Sequence, residues 1–216
     1  MIRDHNNVIY YDQLAEDIAL LSGGIPDIAI GQIIPLCMQQ YAADSLSFVE
    51  EVTGRVKNGI FEPENGCSSY LSMSSRYDIV SVDSVTRKNN SVPVISRYES
   101  TSPELPSCSL ISTSGKTPEL RFFGHDDSID NDTRVMFIIA PKRNATHCVV
   151  PRDRGLFIRT VTALCLYYLY NMPNRDWSNM DLAAQHYAIY HDLTVESKRK
   201  SKGNDMRVVR ECKFSW

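Results

Sequence analysis

The chain has 216 residues, 23 Lys and Arg against 26 Asp and Glu, a formal net charge of -3, 43% hydrophobic and 23% charged residues. That length can bury a real core, and the composition is that of a globular protein rather than a disordered one. The slight negative charge argues against a general nucleic-acid binder, which needs Lys and Arg to neutralise phosphates. No run approaches the roughly 20 apolar residues of a membrane span, and the start from Met1 to His5 lacks a signal-like apolar core, so synthesis in the cytoplasm and no membrane partner are expected. Cys37, Cys67, Cys108, Cys148, Cys165 and Cys212 show no metal-ligand or disulfide-scaffold spacing, so reduced, partly buried thiols are expected.

Taken in chain order, Asp12 is placed to cap a first helix with Leu14, Ile18 and Leu21 on one face, ended by Gly23 and Gly24. Pro26 opens a longer helix, with Pro35 in its first turn and Ile34, Met38, Tyr41, Ala42, Phe48, Val49 and Val52 at helical spacing. After Gly59 and Gly66 the signal becomes β. Ile79 to Val85 and Val92 to Tyr98 read as a hairpin turned at Lys88 to Ser91. The Ser, Thr and Pro of 99–119 predict a long loop. Leu120 to Phe123 and Val135 to Ala140 read as strands flanking an acidic loop, His125 to Asp132, and Val149 and Val150 follow before Pro151.

From Gly155 a third helix carries Val161, Leu164, Cys165, Tyr168 and Leu169 at i, i+3, i+4, i+7 and i+8, and Pro173 stops it. Ser178 to Asp181 reads as a capping box for a fourth helix with Met180, Ala184, Tyr187, Ala188 and His191 on its inner face. Lys198, Arg199, Lys200 and Lys202 complement that helix's negative end. Beyond Gly203 the stretch from Arg207 to Trp216 alternates apolar and polar residues like a strand or extended arm. Its Phe214 and Trp216 either tuck into their own domain or fill a partner's groove. The order is thus helix, helix, a β lobe, helix, helix and a tail: helices in 1–58 and 151–203, a β-rich lobe in 59–150 between the second and third helices, and an extended C-terminal arm in 204–216.

Motifs with chemical content are weak. His186 and His191 are five residues apart, so they diverge around a helix instead of sharing a metal as i,i+4 ligands do. Asp126, Ser128, Asp130 and Asp132 start like a calcium loop but lack its glycine and its final Glu. Ser114 to Thr117 resembles the end of a phosphate loop without the earlier glycine, and Pro118 blocks the helix that should follow. No catalytic residue, cofactor or metal site is assigned.

The order of these segments resembles the head-to-tail connector, or adaptor, proteins of tailed bacteriophages. The resemblance rests on Ile25 and Pro26 followed by Ile30, Ile33 to Leu36, Gln39 to Ala42 and Ser45, and on Tyr70 and Leu71 followed by the valine-rich Tyr77 to Val85. It continues through Ile138 to Lys142, Leu156 to Leu169, Asp176 to Ser178 with Leu182, Ala183 and Tyr187 to Tyr190, then Lys198 to Gly203 and Arg207 to Trp216. Asn171 to Asn174 departs from the glycine-rich turn more usual there.

The resemblance implies a mainly α fold with a β insertion, its four-helix bundle core formed by 1–58 and 151–203, in a non-enzymatic structural virion protein at the head-tail junction. Copies form a ring, commonly a dodecamer, below the portal protein ring; it extends the channel through which double-stranded DNA passes and meets tail or neck proteins. Arg207, Val208, Arg210, Phe214 and Trp216 are then expected to dock on the portal, with Leu164, Tyr168, Trp177 and Tyr187 as helix-face packing residues. Two other readings are a metal-dependent hydrolase using His186, His191 and Asp192, and a minor capsid or decoration protein.

Overall fold

The computed structural model describes residues 8–63, 77–95, 107–111, 118–124, 130–151, 153–202 and 208–211. Among them lie strands β1 (Val8–Tyr10), β2 (Phe48–Lys57), β3 (Ile60–Pro63), β4 (Tyr77–Arg87), β5 (Asn90–Val92), β6 (Ser107–Ile111), β7 (Glu119–Phe123), β8 (Asp130–Pro141), β9 (His147–Val149) and β10 (Val208–Glu211). The helices are α1 (Tyr11–Ser22), α2 (Asp27–Ser45), α3 (Arg154–Tyr170) and α4 (Met180–Lys202). The fold is therefore α+β. The expectation of a mainly α fold built on a four-helix bundle with a β insertion is overturned by a large antiparallel sheet that makes β structure a principal component.

Two compact units divide the chain, one of Met1–Phe48 and Ala140–Val208, the other of Val49–Ile139 and Val209–Trp216. In the helical unit Gly23, with φ of 64°, ends α1 in the left-handed conformation that glycine adopts without strain. α1 has no side-chain cap; Asp12 lies inside its first turn, where a carboxylate favours the helix dipole. Its inner face is Leu14, Ile18 and Ser22 at four-residue steps, which turns Leu21 outward, contrary to the sequence expectation. α2 bends away from α1 by 118°. Pro35 sits in the middle of α2 rather than in its first turn, so the helix gives up one backbone N–H and continues. Strands β1 and β9 form a two-stranded antiparallel ribbon, Val8 facing Val149.

α2 stops at Ser45, not beyond Val52 as the helical spacing implied. Leu46 is left-handed, with φ of 54°, and the chain enters β2 at Phe48. Val52 and Val56 are buried, and Thr53, Arg55 and Lys57 point outward, because β-branched residues at alternate positions suit a half-buried pleated strand. Asn58 and Gly59, both with positive φ, then turn β2 into β3, and Lys88 and Asn89 do the same between β4 and β5.

The large sheet runs in the order β5-β4-β8-β2-β3-β7-β6, with β10 also paired to β2. β6 falls inside 99–119, the stretch expected to be loop. Its register against β7 places Cys108 opposite Phe122, both buried. Val94, just beyond β5, bridges in parallel to Cys108, and Ile95 N donates to Cys108 O at 2.9 Å. The two ends of the sheet thus meet, and the unit is close to a barrel. Phe61, Leu120, Val135 and Phe137 are fully buried in it. Gly54 in β2 is needed there: a Cβ at this position would stand 2.5 Å from the Glu62 carbonyl oxygen and 2.7 Å from the Phe61 ring.

Candidate functional site

α3 is buried around nearly its whole circumference, from Leu156 and Phe157 through Val161 and Leu164 to Leu169, so it forms the centre of the helical unit. Asp153 caps it, its Oδ1 accepting from Leu156 N at 3.0 Å, while its Oδ2 takes the Lys200 ammonium at 2.8 Å. That hydrogen bond to Lys200, helped by the one from Leu156, holds the Asp153 carboxyl below its usual range. Phe157 meets Tyr41 and Phe48 edge-on, with centroids 5.2 and 6.3 Å away.

α4 packs with Ala183, Tyr190, Ser197 and Ser201 inward. These positions recur every seven or four residues, and the small side chains of Ala183, Ser197 and Ser201 let neighbouring elements approach closely. The expected inner face of Met180, Ala184, Tyr187, Ala188 and His191 is outside instead. Its cap also differs. Asn179 Oδ1 accepts from Asp181 N and Leu182 N, whereas the Ser178 hydroxyl turns back to Met172 O and Arg175 N. Ser201 Oγ lies 2.9 Å from Ser47 Oγ, which in turn approaches the Tyr41 hydroxyl at 3.4 Å, all in the buried interior.

With that line buried, α4 presents two flanks. Tyr187 and Ile189 are about 160° apart around the helix. On one flank Tyr187, 49% exposed, packs against Tyr167 at 5.0 Å, and Tyr167 against Tyr168 at 5.0 Å. The Tyr168 hydroxyl donates to Gln40 Oε1 at 2.5 Å. On the other flank Ile189 and Leu193 join Leu21, Ile158, Ala163 and Leu166 around an apolar groove of about 460 Å³. A third surface lies at the α1–α2 corner. There Leu20 and Ile28 are 85% and 74% exposed, beside a cleft of about 670 Å³ that includes Asp12, Glu16, Leu20 and Asp27.

The residues singled out from sequence fall in different places. Leu164 is fully buried on α3, Tyr168 is half-buried and Tyr187 stands on the outer flank of α4. Trp177 lies in the connection between α3 and α4, under the Arg175 guanidinium at 5.8 Å, and its indole N–H has no hydrogen-bond partner among the described residues. Val208 and Arg210 belong to β10, whose pairing with β2 gives the expected free arm a partner within its own chain. Arg207, Phe214 and Trp216 lie outside the described residues, as do Ser114 to Thr117, Asp126 and Ser128.

His186 stacks on Tyr170 with ring centroids 5.7 Å apart, and burial lowers its pKa. His191 is exposed beside Asp192. Among the described residues no three His, Cys, Asp or Glu side chains gather as a metal site, and Cys37, Cys108, Cys148 and Cys165 are free buried thiols. No single helix among them is long and apolar enough to cross a membrane. What the arrangement offers is surface chemistry: exposed Leu, Ile, Val and Tyr side chains next to charges of both signs. Comparison of the sequence with models of known protein families and with curated proteins finds no match.

Proposed function

We propose that this chain is a non-enzymatic connector subunit of a tailed-phage particle. Copies assemble as a ring, a dodecamer, beneath the portal protein ring, extend the DNA exit channel and receive tail or neck proteins. The sequence resemblance supplies the class of protein. The observation that carries the reading in the structure is the exposure of large apolar side chains on separate parts of one helical unit: Leu20 and Ile28 at the α1–α2 corner, and Met180, Tyr187 and Val195 on α4. A closed ring of identical subunits requires two different faces on each, one for each neighbour. In this reading the chain beyond β10, with Phe214 and Trp216, meets the portal, where aromatic residues at the end of a segment can fill apolar pockets.

Negative-stain images of the purified protein, alone and mixed with the portal ring of the same phage, test this. Rings with a central channel stacked coaxially on the portal are expected. A protein that stays monomeric alone and never decorates the portal overturns the reading.

A further inference from the structure

Building on the ring reading above, we infer that the outer stripe of α4 in one copy docks on the α1–α2 corner of the next copy. Val195, Lys198, Arg199 and Lys202 stand at i, i+3, i+4 and i+7, which aligns them along one side of α4 away from the buried Ser197 and Ser201. Val195 is 56% exposed and the three cations are exposed too. The neighbouring Lys200 is occupied, by Asp153 at 2.8 Å and Glu196 at 3.0 Å. Lys198, Arg199 and Lys202 make no ion pair among the described residues.

The opposite charge lies at the corner. Asp12, Glu16 and Leu20 are at i, i+4 and i+8 on the outer side of α1, and Asp27 opens α2 beside them. These three carboxylates have no ion-pair partner among the described residues either, and exposed Leu20 and Ile28 supply the apolar part. Each surface therefore joins uncovered aliphatic groups to unpaired charges of one sign, and the signs are opposite. Apolar contact supplies the attraction, and the charges set register and partner choice. The two surfaces occupy different elements of the same copy, so with one neighbour on each the contact runs head-to-tail and propagates, as a ring requires; a wild type that stops at a reciprocal dimer overturns it. Nucleic acid would account for the three cations but leaves the exposed Leu20, Ile28 and the carboxylates without a partner.

Sedimentation velocity and negative-stain imaging of the full chain, in about 20 mM and about 500 mM salt, test the contact. Two charge-reversed proteins are compared with wild type, Asp12→Lys with Glu16→Lys, and Lys198→Glu with Arg199→Glu. All four sites are exposed, so each reversed protein is expected to stay folded, with circular dichroism melts lowered only slightly because Asp12, Lys198 and Arg199 complement helix ends. Each pair of reversals is expected to weaken self-association roughly tenfold or more, as high salt does, and combining all four is expected to restore it. Wild-type rings that persist in both reversed proteins, or a combined variant that stays dissociated, overturn this contact while leaving the ring reading intact. A wild type that never forms rings, alone or with portal, overturns the ring reading and this contact together. Binding of a short DNA duplex that is lost on reversing Lys198 and Arg199, without any self-association, also overturns it.

Discussion

The Tyr190 hydroxyl donates to Asp44 Oδ2 at 2.5 Å, fastening the middle of α4 to the last turn of α2. Burial, and then this bond to a carboxylate, push the Tyr190 pKa well up. Tyr190→Phe keeps the ring but leaves Asp44 without its donor, and is expected to cost about 1–3 kcal/mol in urea unfolding. The sign of the pH effect is fixed by the raised folded value: the contribution is present below pH of about 10 and is lost as the unfolded tyrosine ionises above it. The gap between wild type and Tyr190→Phe is therefore expected to narrow in alkali; a constant gap up to the highest pH at which both proteins stay folded would contradict the assignment.

Asp153 behaves in the opposite sense. Its folded pKa is lowered, so its contribution is present above the unfolded carboxylate value and is lost as pH falls through the lower folded one. Asp153→Ala removes the α3 cap and is expected to cost about 0.5–2 kcal/mol near neutrality. Thermal melts below pH of about 4 are expected to bring the two proteins together. Equal melting temperatures at neutral pH would show that the cap contributes nothing.

Gly54→Ala tests the sheet unit. The added methyl group would collide with Glu62 O and the buried Phe61 ring, and a backbone carbonyl cannot swing aside as a flexible side chain can. A loss of about 1–3 kcal/mol is expected from chemical denaturation. Replacement without loss would mean that β2 and β3 are not held in this register.

Two truncations separate the roles of the C-terminal segment. Ending the chain after Glu211 keeps β10 on β2, so melting is expected to change little, while the connector reading proposed above expects portal binding, measured by co-sedimentation, to be lost. Ending it after Gly203 removes β10 as well and is expected to lower the melting temperature, because β2 loses hydrogen-bonded backbone. Full portal binding by the shorter of these proteins would move the docking site elsewhere, to the helical unit.

Local signals were readable where one residue type meets one backbone requirement. Gly23 ends α1, the turn at Lys88 and Asn89 joins two strands, and the apolar spacing of α3 marks a buried helix. Asn58 and Gly59 carry an equally strong hairpin signal between Val56 and Phe61, but Phe48, Val49 and Val52 just before it also fit helical spacing. A short apolar run cannot choose between the two periods; the left-handed Leu46 does so in the structure. On α4 the large apolar residues do not mark the buried face, Tyr190 apart. The helix packs through Ala183, Ser197 and Ser201, so its Tyr187 and Val195 are left for the outside. The groove that Leu21 shares with Ile189 and Leu193 was hidden for a related reason, since Leu21 fits the spacing of Leu14 and Ile18 nearly as well as Ser22 does.

In the proposed ring, the bridge from Val94 to Cys108 bears on how copies could meet without tangling. A sheet with open sides offers rows of unsatisfied amide groups to any passing strand, the route by which crowded proteins fuse into fibres. Here the bridge and the bonds from Ile95 N to Cys108 O and from Cys108 N to Pro93 O occupy the outer side of β6 at Cys108, so that stretch is closed to such growth. In that ring, recognition would fall to side chains, which can be selective about angle and stop after a fixed number of partners.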